Sequence, residues 1–399
     1  MKKILLILSL LFLVENIMAQ EKELLSKIDS IVKVELAKKS YKDSKTQFMI
    51  RGYGHTGFAS VDTNGETESS FDGGTFAPIF LFKHSDRFMF ESELEFSLSD
   101  GALEVGFEYA DVMYVLNKYM TVRAGKFLLP FGTFMERLHP SWINRFTSKP
   151  LGFGHDGIAP SSDVGLELRG AFYLGNTKWN YSTYVTNGPT IKDGSIEPDE
   201  AGMLAFENLI DNNNNKAFGG RIGFLPFADS STEIGYSIFS ANGTGDKDSQ
   251  YENIGAFLYA LDIAFVKQVN GLSGVVDFKG QYNHSKVDNA TYFDAEENET
   301  YTFDNVSDSF YVQLSYRPTM SGNNFVKNLE FVSRYSEYNT PEGAKWESNS
   351  SQYSFGLNYW ISWRSLIKVS YETSDIEGGH GASGVSNIDS FAIHWAIGF

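Results

Sequence analysis

The last twelve residues, Ile388 to Phe399, constrain this chain more than any other stretch. Phe391, Ile393, Trp395, Ile397 and Phe399 fall on one face at period two, while Ser390, Ala392, His394, Ala396 and Gly398 fall on the other. In a soluble sandwich the large residues would meet in a core and the polar face would meet bulk water. Here the opposed face is small or polar throughout. That pattern suits a wet interior, with the large residues turned toward lipid. Any half-buried strand alternates, so one strand proves nothing unless the pattern recurs.

It recurs from Gln47 onward in about sixteen strand-like runs, which predicts an all-β, transmembrane antiparallel barrel over residues 47–399. Phe88, Phe90, Leu94, Phe96 and Leu98 alternate with Glu91, Glu93 and Glu95. Leu103, Val105, Phe107, Tyr109, Met113 and Val115 alternate with Glu104, Gly106 and Glu108. Val164, Leu166, Leu168, Phe172 and Leu174 alternate with Glu167, Arg169 and Tyr173. Tyr353, Phe355, Leu357, Tyr359, Ile361 and Trp363 alternate with Ser354, Gly356, Asn358, Trp360 and Ser362. Aromatic residues crowd the strand ends, as girdles at two membrane interfaces would require.

The connections carry a second signal. Short turns are expected at Ser85–Arg87, Asn117–Lys118, Gly175–Asn176, Phe227–Ser231, Val269–Gly271, Pro318–Asn324 and Trp363–Arg364. Longer polar connections are expected at Val61–Gly74, Leu128–Ser161, Gly188–Asn215, Asn242–Glu252, Ser285–Asp304, Asn339–Asn349 and Ser374–Asn387. Only the link near Asp100-Gly101 breaks the alternation. Short turns on one side and long loops on the other place both termini in the periplasm and require an even strand count. Sixteen strands give a water-filled lumen rather than an interior packed with side chains.

The N-terminus supplies the route to that compartment. Lys2-Lys3 precede the apolar run Ile4–Val14, and Ala19 follows at a cleavage position, so residues 1–19 read as a secretory signal peptide. Residues 20–46 carry Leu24, Leu25, Ile28, Ile31, Val32 and Leu36 at helical spacing. They are expected to form a short periplasmic helix, or a coiled-coil stub that helps hold a trimer. No plug domain precedes the first strand. The absence of cysteine excludes disulfides, thiolate metal sites and a cysteine nucleophile. A formal charge of −17 argues against a nucleic-acid partner. Mean hydropathy of −0.25 argues against a helical membrane protein but is compatible with a barrel, where only alternate residues touch lipid.

Leu128 to Ser161 is the longest connection and is too apolar for a loop in water. Phe131, Phe134, Leu138, Trp142, Ile143 and Phe146 need a dry place. Folding back into the barrel would supply it and narrow the pore; packing on the rim or at a subunit interface is the alternative. Within and beside this segment, Gly125-Lys126-Phe127, Pro130-Phe131-Gly132, Glu136-Arg137, Asn144-Arg145, Ser162-Asp163-Val164-Gly165 and Gly170 resemble the phosphate-selective porin O/P family, in the version common in Bacteroidetes-type bacteria. A C-terminal aromatic on the last strand likewise resembles the insertion signal of bacterial outer-membrane barrels. The resemblance implies a homotrimeric porin in lipid and lipopolysaccharide, with an anion-selective constriction set by the inward loop.

Phosphate passes a narrow pore only where cationic donors replace part of its hydration shell. Arg123, Lys126, Arg137, Arg145, Lys149 and Arg169 cluster in and beside the loop, with His139 and His155 as additions. Strand parity turns Arg123 and Arg169 inward. Lys126 has the opposite parity and faces inward only if the strand ends or bulges there. Arg221, Lys279, Arg334 and Lys368 also have lumen parity. The structural alternative pairs these cations with Glu136, Asp156, Asp163 and Glu167. The expectation is thus a passive porin for small hydrophilic solutes with an anion preference; Glu91, Glu93, Glu95, Glu104 and Glu108 form an acidic lumen wall that would oppose the cations and, as the alternative, give a general or cation-preferring porin. No cofactor is expected. The seven histidines stand in no metalloprotease or hydrolase motif, so neither catalytic residues nor a metal site is expected. No loop is long enough for an adhesin domain.

Overall fold

In the computed structural model, residues 46–399 are described, apart from 100–101, 155–156, 207–208, 295–296 and 379–384. The expected leader and all but the last residue of the expected helical segment lie outside the described residues. Sixteen antiparallel strands close into one barrel. The first eight are β1 (Gln47–Thr63), β2 (Glu66–Lys83), β3 (Phe88–Ser99), β4 (Ala102–Asn117), β5 (Met120–Leu128), β6 (Ser162–Leu174), β7 (Thr177–Thr186) and β8 (Ala217–Leu225). The rest are β9 (Thr232–Ala241), β10 (Ala256–Val269), β11 (Gly274–Val287), β12 (Val306–Arg317), β13 (Leu329–Asn339), β14 (Ser348–Ser362), β15 (Ser365–Gly378) and β16 (Val385–Gly398).

Alternation along β16 sorts its side chains as expected. Phe391, Ile393, Trp395 and Ile397 are 37–56% exposed on the outside, whereas Ala392, His394 and Ala396 are buried on the inside. The same outward apolar set continues through Phe218, Ile222, Ile234, Ile238, Leu261, Leu314, Phe331, Phe355 and Leu357. A band of this extent is not tolerated in water and is the lipid-facing surface of a barrel. The seam closes where β16 pairs antiparallel with β1, from Tyr53↔Gly398 to Thr63↔Ile388. Gly52 and Phe399 exchange two backbone hydrogen bonds, and the Phe399 ring stacks on Phe76 at 5.7 Å. A Cβ on Gly52 would sit 2.6 Å from that ring, so glycine is required for the terminal aromatic to close the seam.

Several boundaries differ from the sequence reading. Val61–Gly74 is not a loop: β1 and β2 continue to a two-residue turn at Asn64-Gly65, both with positive φ. Asn-Gly flanked by strands is itself a strong hairpin signal, and Asp62 Oδ1 accepts the Gly65 N–H at 2.9 Å. β15 and β16 likewise reach to Gly378 and from Val385, inside the expected loop Ser374–Asn387. The turn begun at Pro318 runs on through a 3-10 turn at Val326–Asn328. Two long connections carry small hairpins of their own, Thr190–Ile191 with Leu204–Ala205 and Thr291–Asp294 with Glu299–Thr302.

A further correction concerns β4. Glu93 pairs with Tyr109 but Leu94 pairs with Phe107, so Glu108 is an extra residue and the parity of β4 flips there. Leu103, Val105 and Phe107 face outward, but Tyr114 and Leu116 take over beyond the bulge. Tyr109, Met113 and Val115 therefore turn inward, and so does Asp111.

Candidate permeation site

The loop between β5 and β6 folds into the lumen, as expected. Its entry is fixed by Gly132, at φ +64°, whose N–H donates to Ser237 Oγ at 3.0 Å. The next two N–H groups, of Thr133 and Phe134, both donate to Gln281 Oε1 at 2.8 and 3.0 Å. A single π-helical turn, Phe134–Leu138, follows, and Phe134 packs edge-on against Phe153 and Tyr311. Phe131, Phe134 and Phe146 are buried, and Trp142 lies on Gly398 at the inner face of the seam. The apolar residues thus find their dry surroundings inside the barrel rather than at its rim.

The far half of the loop is tied to the wall made by late strands. Lys368 Nζ donates to the Ser141 and Phe146 carbonyls at 2.9 and 2.6 Å. Arg334, with a fully buried side chain, donates to Ser148 O at 3.1 Å, Ser148 Oγ at 2.6 Å and Glu372 Oε1 at 3.1 Å, and lies over the Phe146 ring. Replacing Gly132 by valine should loosen the near end of this attachment. A Cβ there would overlap the Gln281 amide at about 2.0 Å, and a left-handed β-branched residue costs roughly 1–2 kcal/mol in addition. The expected result is a lower unfolding temperature of the folded barrel, read from its heat-modified gel mobility.

With the loop held against β9–β16, open space remains between its Glu136–His139 edge and the wall of β2–β7. Two cavities of about 470 and 340 Å³ lie there, and both are lined by Glu136, Arg137 and Arg169. The first extends to the turn at Asn117–Thr121. The second is lined by Glu91, Glu93, Tyr109, Arg123 and His139. The space bordered by Glu136, Arg137 and Arg169 is common to both linings and is termed the eyelet below.

Three of the predicted cations meet at this eyelet, each with carboxylates. Arg123 Nε donates to Glu167 Oε2 at 2.6 Å and its Nη1 lies 3.7 Å from Asp111. Arg169 reaches Glu136 at 2.8 Å and Glu167 at 3.6 Å. Arg137 reaches Glu233 at 3.1 Å and Glu136 at 3.5 Å. Burial by itself would raise the Glu136 pKa, but Arg169, Arg137 and Arg123 outweigh it and hold the carboxyl below its ordinary range.

The other predicted cations are elsewhere. Arg145 is on the far wall, bonded to Glu330 at 3.1 Å and stacked on Trp360. Lys149 is exposed further along the loop, beside Gly154. Lys126 keeps the outward parity of its partners Ala110 and Val164, and its buried ammonium donates to the Phe107 carbonyl at the β4 bulge. Arg221, by contrast, does border the first cavity, where it shares Glu233 with Arg137 and also pairs with Asp262, while Lys279 is paired with Asp277. Asp163 accepts backbone N–H groups of Val164 and Gly188 rather than an arginine. His155 and Asp156 lie outside the described residues.

Among the predicted acids, Glu93 is buried and accepts the Tyr53 hydroxyl at 2.7 Å, with His139 Nε2 at 4.0 Å. Glu91 and Glu95 are half-buried, Glu108 is buried at the bulge, and Glu104 is exposed near the start of β4. Asp111 and Glu233 complete the eyelet and were not singled out from sequence. The parity flip hid Asp111, and Glu233 is 96 residues from the loop arginine it pairs with.

A closed sixteen-strand barrel, polar within and crossed by an inward loop between its fifth and sixth strands, has the architecture of outer-membrane porins. Solved porin structures align over almost the whole of their own length. The outer membrane channel DcaP of Acinetobacter baumannii is 12% identical, covering 89% of this chain and 98% of that one, with a TM-score of 0.58. OmpF of Salmonella typhi is 12% identical over 90% and 99%, with a TM-score of 0.56. An anion-selective porin from Comamonas acidovorans is 12% identical over 89% and 100%, with a TM-score of 0.53. No protein-family model and no curated protein matches the chain. The likeness shows the fold; the phosphate-selective subtype rests on the residue resemblance alone.

Proposed function

We propose that this chain is an outer-membrane porin for passive diffusion of small hydrophilic solutes, with a weak preference for cations. The observation that carries the preference is the charge balance of the eyelet. Arg123, Arg137 and Arg169 are each held within 4 Å of two carboxylates. Glu91 and Glu95, on the opposing wall, have no cationic partner within that distance among the described residues. A guanidinium with two carboxylates nearby presents little net field to a passing ion, so the surplus glutamates set its sign. The mechanism involves no covalent step, only a sized, charged passage and a downhill gradient.

The reading includes the rest of the expected architecture: export by the 1–19 leader, a helical segment over 20–46, periplasmic termini, and a homotrimer in lipid and lipopolysaccharide. The alternation of short and long connections supports the sidedness. An anion-preferring channel, for phosphate or a similar ion, is the second reading. It is favoured by Arg137 and Arg169, whose side chains are 36% and 33% exposed at the water-filled edge, and by the likeness to an anion-selective porin. The zero-current potential across a planar bilayer under a potassium chloride gradient separates the two. Cationic sign without block by added phosphate is the expected result. Anionic sign with phosphate block would establish the second reading.

A further inference from the structure

At the seam, away from the eyelet, β1, β2 and β16 each turn one metal-ligating side chain to the lumen. His55 Nε2 lies 3.7 Å and His394 Nε2 3.9 Å from the same oxygen, Asp72 Oδ2. The two imidazoles are stacked, with centroids 4.7 Å apart and planes at 17°. All three ligand atoms fall within 4.8 Å of one another. We propose that His55, Asp72 and His394 bind one divalent late first-row transition-metal ion, with zinc as the reference case, in the lumen wall where the barrel closes.

Spacing and chemistry agree. Ligands on a tetrahedral zinc ion with bonds of ~2.0–2.1 Å stand roughly 3.4 Å apart. The two edges to Asp72 therefore need to close by only about half an ångström, and rotation of the two rings brings the third edge in. Two imidazoles and one carboxylate suit zinc, nickel or copper rather than calcium or magnesium, which take oxygen ligands. Three protein ligands leave a position open to the lumen, and the ligand side chains are 17%, 35% and 9% exposed, so an ion can enter.

The backbone is shaped around this constellation. The β1–β2 register shifts between His55 and Gly57, so that Asp72 faces Gly57 and Thr75 faces His55. Gly74, at φ +75°, forms the bulge and donates its N–H to Asp72 Oδ1 at 2.7 Å. That bond occupies one carboxylate oxygen and aims the other at the histidines, the role an outer-shell partner plays in metal sites. The His394 ring lies over Gly57, where a Cβ would come within 2.4 Å of it. Left to themselves the three groups are poorly satisfied: 3.7 and 3.9 Å exceed hydrogen-bonding distance, and His55 Nδ1 is buried without a partner among the described residues. Lys368, the cross-strand neighbour of His394, directs its ammonium onto the loop carbonyls instead.

The test uses the full-length protein, purified without a histidine tag and cleared with chelator, and titrated with zinc by calorimetry and with Co²⁺ by visible absorption. Expected are one zinc per chain, cobalt bands of a nitrogen–oxygen site, and a zinc-dependent rise in unfolding temperature. Asp72→Asn and His394→Gln should each weaken zinc binding at least about tenfold and abolish the rise in unfolding temperature. No saturable binding by the natural protein would overturn the proposal, as would undiminished binding in a His55→Gln/His394→Gln double variant. The cobalt spectrum of the unsubstituted protein decides by itself if the variants do not fold: its absence overturns the site, its presence with one ion per chain supports it.

Discussion

Arg334→Ala should release the inner loop from the far wall, raising single-channel conductance and admitting larger neutral sugars in vesicle-swelling assays. Arg334 is the densest point of attachment, joining Ser148 of the loop to Glu372 and Gln352 of the barrel while covering the Phe146 ring. Alanine would leave Glu372 without its cation, the Lys149 carbonyl without its arginine donor, and the Ser148 carbonyl with only the Asn144 amide. Breaking such a buried pair from one side typically costs about 3–5 kcal/mol, because the remaining charge is uncompensated. The bonds from Lys368 and Gln281 would remain, so the loop should become mobile rather than unfold, and the current should become noisier as well as larger. Conductance and sugar cut-off equal to those of the unsubstituted channel would mean that the loop is held without Arg334.

The second large effect concerns the sign of selectivity. Neutralising the surplus acids in a Glu91→Gln/Glu95→Gln variant should move the zero-current potential toward the anionic side. Arg137→Gln should move it toward the cationic side. A charge ~4 Å from a passing ion is worth about 1 kcal/mol in water, which is roughly a fivefold change in relative permeability per charge. Arg145→Gln should leave selectivity nearly unchanged, since Arg145 lies behind the loop on Glu330 and Trp360. Equal shifts from Arg137 and Arg145 substitutions would show that the ion path runs on both sides of the loop. No shift from the glutamate pair would move control of the field to other groups.

The fold was legible because it is written in a repeating, local code. Period-two alternation needs no knowledge of partners, and residues 391–399 read the same way in the chain and in the barrel. Asn64-Gly65 carries a hairpin signal, but the polar residues beside it make Val61–Gly74 read as a loop and conceal two strands that run on beyond the apolar band. The β4 bulge was not legible. Glu104, Gly106 and Glu108 keep strict alternation in the sequence, and nothing local shows that Glu108 is the unpaired residue. The site was legible in part, as residue types and as an inward loop. What each arginine meets was not, because the partners are supplied by other strands. Arg137 finds Glu233, and Arg145 finds Glu330, 185 residues away. The four arginines of a cation cluster in sequence became, in space, a set of ion pairs.

Those separations also bear on the order in which the molecule can be made. The loop leaves the chain after β5, yet its anchors are Gln281, Arg334, Lys368, Ser370, Glu372 and Gly398, and the Lys368–Ser141 bond spans 227 residues. Contacts this remote are made late, after the intervening chain has been ordered. Until β15 and β16 are in place, Trp142 lacks the seam face at Gly398 on which it lies, and the Phe146 carbonyl lacks its bond from Lys368. An incomplete barrel would therefore be wide, sticky on its inner surface and without its filter, and a chain truncated before the last two strands would lose the filter as well as the seam.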